Sequence, residues 1–102
     1  MKRRRRVIPR VELERTLAQK GFRYEEGRRD HRYWFFYHEE CKTNIFTKIS
    51  RGTGYRDYGI DLLNKVKRQL RFDTLEQLQD FIDCPMSGED YARHLREKEL
   101  LR

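Results

Sequence analysis

His31 opens the aromatic run HRYWFFYH and shares five consecutive residues, 28–32, with Arg28, Arg29 and Arg32. An imidazole titrates near neutrality and can take or give a proton there. Guanidinium groups hold phosphate oxygens through paired N–H contacts. Together they supply what cleavage of a phosphodiester by a neighbouring hydroxyl needs, a proton acceptor or donor and cations to offset charge on the phosphorane. Lys48, on the following strand, adds a further cation. Asp30 could orient the imidazole, but it would also repel a phosphate. In the competing reading His31 is a strand-edge residue bonded to Asp30 or to backbone, and the arginines form a solvated turn.

A second group lies further on. The segment SRGTGYRDYG, Ser50 to Gly59, carries Arg51 and Arg56 with Tyr55 and Tyr58 between and beside them, and Lys65, Lys67, Arg68 and Arg71 follow. Cations interleaved with aromatic rings suit RNA, whose phosphates meet the cations while bases or riboses stack on the rings. His38 and Cys41 have an HxxC spacing that zinc accepts, but Cys84 and His94 stand nine residues apart in a separate element, so no metal or other cofactor is expected. No P-loop, HExxH, Ser-His-Asp order or dinucleotide fingerprint is present.

The charge distribution supports a polyanion-binding surface. Of the 102 residues, 1–72 carry 20 basic and 9 acidic side chains, a net of +11, whereas 73–102 carry 4 basic and 8 acidic, a net of −4. The two cysteines, Cys41 and Cys84, and the absence of an apolar leader after Lys2 to Arg6 point to a reducing, cytoplasmic setting. No apolar run approaches the ~20 residues of a membrane span, so no membrane partner is expected.

These side chains need elements to position them. A first helix is predicted from about Pro9, with Leu13, Leu17 and Ala18 on one face and Gly21 as its stop. A short strand with Phe22 and Tyr24 on one side follows, then a turn over Gly27 to Asp30 and a second strand, His31 to His38. Its two faces, His31/Tyr33/Phe35/Tyr37 and Arg32/Trp34/Phe36/His38, are both aromatic, so either can be the buried one. A third strand, Lys42 to Ile49, alternates Thr43, Ile45, Thr47 and Ile49 against Asn44, Phe46 and Lys48, completing an antiparallel meander. Ser50 to Gly59 reads as a loop, and Ile60, Leu63, Val66, Lys67 and Leu70 mark a second helix. Two capping boxes, Thr74 with Gln77 and Ser87 with Asp90, open two further helices, the first ended by Pro85.

With its elements in this order the chain resembles the HicA family of toxin-like mRNA interferases, small proteins with the double-stranded-RNA-binding fold, in which an α-β-β-β-α unit presents one catalytic histidine. The likeness covers residues 9–72 and is carried by Lys20, Gly21 and Phe22 at the end of the first helix and by GRRDHRYWFF from Gly27 to Phe36. Where the family's strand begins Gly-Ser-His, this chain has Arg29, Asp30 and His31, so the histidine is what carries over. The resemblance implies an α+β fold and a metal-independent endoribonuclease in which His31 is the general acid or base and Arg29, Arg32 and Lys48 bind phosphate. Arg28, Arg51, Tyr55, Arg56 and Lys65 extend the nucleic-acid-binding set. The expected partner is RNA, its double-stranded form included. Two rival readings remain: a non-catalytic module that grips the A-form backbone, and a toxin-fold protein acting through an antitoxin-like protein added to the sheet face or edge.

The predicted organisation is a basic flexible arm, residues 1–8, the RNA-binding domain, 9–72, and an acidic helical extension, 73–102, packed on the same domain. That extension either folds over the basic surface and competes with RNA, or uses Leu75, Leu78, Ile82 and Leu95 to enlarge a small core.

Overall fold

The computed structural model describes residues 7–27, 31–50, 56–83 and 87–101. Strand β1, Ile8–Pro9, leads into helix α1, Arg10–Gln19. Pro9 precedes the first helical turn, and the Arg10 N–H, which has no partner within the helix, donates to the Arg56 carbonyl at 2.7 Å. Leu13 and Leu17 are fully buried one turn apart, whereas Ala18, expected beside them, is exposed. Gly21 follows the helix at φ +95°, a conformation that costs glycine no steric penalty, and a side chain there would press on the Phe36 ring.

Strands β2 (Phe22–Glu26), β3 (His31–His38) and β4 (Cys41–Ser50) form the antiparallel meander, in the order β2-β3-β4. The ambiguity of β3 is resolved in favour of the Arg32/Trp34/Phe36/His38 face. Phe22 pairs with Phe36, and Ile45, Thr47 and Ile49 of β4 are buried on the same side. A two-residue pairing joins β1 to β5 (Asp57–Tyr58), with Ile8 opposite Tyr58. Among the described residues strand β1 thus lies partly within the segment assigned to the arm, and a strand interrupts the expected loop.

Helices α2 (Ile60–Gln69), α3 (Leu75–Asp83) and α4 (Gly88–Glu97) complete the chain. On α2, Leu63 and Val66 face the core, as does Leu70 just beyond it, while Ile60 is exposed. Both expected capping boxes are present: Thr74 Oγ1 accepts from Gln77 N, and Ser87 and Asp90 exchange bonds of 3.0 and 3.1 Å. Pro85, the predicted stop between α3 and α4, lies outside the described residues.

The acidic extension belongs to the core. Leu78, Phe81, Ile82, Tyr91, Ala92 and Leu95 are all buried, and the Tyr91 ring lies 4.9 to 5.6 Å from those of Phe22, Phe36, Phe72 and Phe81. The Tyr91 hydroxyl donates to the Leu70 carbonyl at 2.7 Å, and a His94 ring nitrogen bonds the Arg71 carbonyl at 2.9 Å, so α4 satisfies backbone oxygens at the C-terminal end of α2. The extension therefore packs beneath the sheet, and the alternative in which it covers the basic surface is set aside.

The Ser87–Asp90 box predicts a pH effect. The bond from the Ser87 N–H holds the Asp90 carboxyl below the 3.8 of a free aspartate. Its contribution is present above that value and is lost as pH falls through the lower folded-state pKa. Thermal melts of wild type and Asp90→Ala, compared from neutral pH down to about pH 2, are expected to differ most at the neutral end and to converge in acid.

Candidate nucleic-acid site at the head of the sheet

His31, first residue of β3, pairs with Ser50, last residue of β4, and its carbonyl accepts from Gly27 N at 3.1 Å. Gly27 is needed there, since a side chain would run into the Tyr33 ring. Ser50 is held just as firmly: its N–H donates to the Tyr58 hydroxyl at 2.8 Å, and its carbonyl accepts from Arg10 Nη1 at 3.0 Å. This corner of the sheet is thereby anchored to α1 and β5.

Helix α2 closes the corner from the side. Gln69 Oε1 accepts from Thr47 Oγ1 at 2.6 Å and from Lys48 N at 3.1 Å, tying α2 to the edge of β4. Between them lies a cavity of about 260 Å³ lined by His31, Lys48, Ser50, Tyr58, Leu62, Lys65, Val66 and Gln69. Tyr58 and Val66 are buried, while Lys48 and Lys65 are exposed. Among the described residues no carboxylate lines it. Burial raises the Tyr58 hydroxyl's pKa above its usual value of 10.0, the bond from Ser50 opposing the shift, so this wall stays neutral.

His31 Nδ1 is buried and has no hydrogen-bond partner among the described residues. A buried polar atom without a partner costs roughly 1–3 kcal/mol, and such atoms merit a functional explanation. Among the described residues no backbone group satisfies this nitrogen, as the strand-edge reading would have it, and Asp30, the other partner that reading names, lies outside them.

Of the sequence-derived site, His31, Lys48 and Lys65 are brought together. Arg32 is not. It lies on the opposite face of β3, where its guanidinium contacts both oxygens of Glu14 at 2.9 and 3.1 Å, and Trp34 Nε1 donates to the same carboxylate at 2.8 Å. Adjacent strand residues point to opposite faces, so proximity to His31 in sequence places Arg32 away from it in space. Arg56 is exposed but does not line the cavity. Tyr58 is 2% exposed and is a core residue, not a ring on which a base stacks. Arg28, Arg29, Arg51 and Tyr55 lie outside the described residues, as does Cys84. Among the described residues no cluster suited to a metal occurs.

Sequence reasoning overlooked Gln69 and Leu62. The signal was present: Leu62, Lys65 and Gln69 recur at i, i+3 and i+7, a second stripe beside the apolar one.

The chain is thus an α+β protein with a three-stranded antiparallel sheet and helices packed on one face. No family model matches it, nor does any curated protein or solved structure in the comparisons made. Among the described residues no helix is long and apolar enough to cross a membrane.

Proposed function

We propose that the protein is a HicA-like RNA-binding protein with metal-independent endoribonuclease activity, and that the cavity at the head of the sheet holds the reacting phosphate. The observation that carries this reading is His31, which lines a cavity with two lysines and, among the described residues, no carboxylate, and whose buried Nδ1 has no hydrogen-bond partner among them. The succession of α1, the meander β2-β3-β4 and α2, with the short strand β5 before α2, supports it, since a helix, a three-stranded meander and a helix are what a double-stranded-RNA-binding-like domain would require.

In the proposed reaction the 2′-hydroxyl of the RNA attacks the adjacent phosphorus and its proton passes to the His31 imidazole. The phosphorus–5′-oxygen bond breaks, leaving a 2′,3′-cyclic phosphate, and the departing 5′-oxygen takes a proton from solvent. Lys48 and Lys65 offset the charge that builds on the phosphorane oxygens, a role in which Lys65 replaces the expected Arg32.

The phosphate-binding half is tested by salt. Removing two cations that each neutralise one phosphate should make the slope of log K against log salt for single-stranded RNA shallower by about 1.4 in Lys48→Ala/Lys65→Ala. Titrations at several salt concentrations measure it, and an unchanged slope would take the phosphate away from this cavity.

A further inference from the structure

The opposite face of the sheet is built unlike an ordinary solvated one. Tyr33, Phe35 and Tyr37 of β3 share it with Phe46 of β4, whose ring lies 5.8 Å from Tyr33 and 5.0 Å from Phe35. Every buried residue of β2, β3 and β4 (Phe22, Phe36, Ile45, Thr47 and Ile49) belongs to the inner face, and Phe46 is 37% exposed. The core does not need these rings, and a solvated sheet face is ordinarily polar.

Cations accompany them. Lys42 Nζ sits 4.0 Å from the Phe35 ring centre and the Arg23 guanidinium 4.2 Å from that of Tyr37. Both are ion-paired, Lys42 with Glu25 and Arg23 with Glu40. Lys48 stands directly across from Tyr33 and has no ion pair among the described residues. Among the described residues, positive charge is therefore ion-paired at the far end of the aromatic strip and without an ion pair at Lys48, where the strip meets the His31 cavity.

We propose that this face is a base-stacking surface for single-stranded RNA, continuous with the cavity: bases beside the phosphate held at Lys48 lie on Tyr33, Phe46 and Phe35. The inference rests on the RNA reading above and narrows it. A duplex keeps its base faces stacked inside and offers protein only phosphates, 2′-hydroxyls and groove edges, for which a row of aromatic rings has no use. Unpaired bases stack on such rings whatever their sequence.

The test uses full-length protein and 2′-O-methyl RNA, which binds but cannot be cleaved, as a labelled unstructured single strand and as the same strand annealed to its complement. Wild type is expected to prefer the single strand. Phe46→Ala should weaken single-strand binding by about 5- to 150-fold, the loss of one base–ring stack, with duplex binding unchanged. Phe46→Trp should restore it. Tyr33→Leu, which keeps bulk but not the ring, serves as a second variant, and thermal melts confirm that each variant folds. Equal affinity for both forms, or wild-type single-strand affinity in Phe46→Ala and Tyr33→Leu, would overturn the proposal and leave the face to a protein or a second copy of the chain. Failure of wild type to bind either RNA would instead overturn the RNA reading itself, and this inference with it.

Discussion

Tyr91→Ala is expected to destabilise the protein by about 4 kcal/mol, the range for deleting a large buried ring. The ring is fully buried at the centre of four other aromatic side chains, so nothing nearby can collapse into the space without giving up its own contacts. A chain of this size has roughly 5–15 kcal/mol to lose, so the variant gives up from about a quarter to most of its stability. Tyr91→Phe separates the two contributions: it keeps the ring but leaves the Leu70 carbonyl without its partner, at about 1–2 kcal/mol. Urea denaturation of the three proteins measures both. A loss under 1 kcal/mol in Tyr91→Ala would mean that residues 73–102 are an appendage whose packing contributes little.

That result also bears on how much could be read from the sequence. Helices, strands and capping boxes were legible because their signals are local: Leu13 to Leu17 spans one turn, Ile45 to Ile49 alternates, and Ser87 and Asp90 are three residues apart. The apolar stripe of the extension was legible in the same way, Leu78, Ile82 and Leu95 being buried as one of the two readings had it, but the rings it meets were not, because Phe81 and Tyr91 pack on Phe22 and Phe36, far away in sequence. Trp34 and Tyr33 are equally aromatic neighbours, so hydrophobicity could not tell which face of β3 lies inward. Glu14 decides it by holding both Arg32 and Trp34 from α1. The same long-range contact removes Arg32 from the candidate site. The pairing of Ile8 with Tyr58 spans only two residues on each side, too short to leave a periodic signal.

The second large effect concerns chemistry. His31→Ala is expected to lower the rate of RNA cleavage by roughly 10²–10⁴-fold, the usual contribution of a positioned acid or base. Affinity for RNA should change little, since Lys48 and Lys65 remain and, among the described residues, the imidazole's Nδ1 makes no hydrogen bond that the substitution would break. Stability should be maintained for the same reason. Lys48→Ala should show the converse pattern, weaker binding together with slower cleavage. Loss of both binding and stability in His31→Ala would assign the histidine a structural role.

Whether His31 cleaves RNA is decided by incubating purified wild type and His31→Ala, in EDTA, with a labelled RNA and a DNA of the same sequence. Cleavage of the RNA alone, ending in a 2′,3′-cyclic phosphate, is expected for wild type, and its loss in the variant. Binding of RNA without cleavage, equal in the two proteins, would contradict it and leave a basic RNA-binding module that does no chemistry at His31.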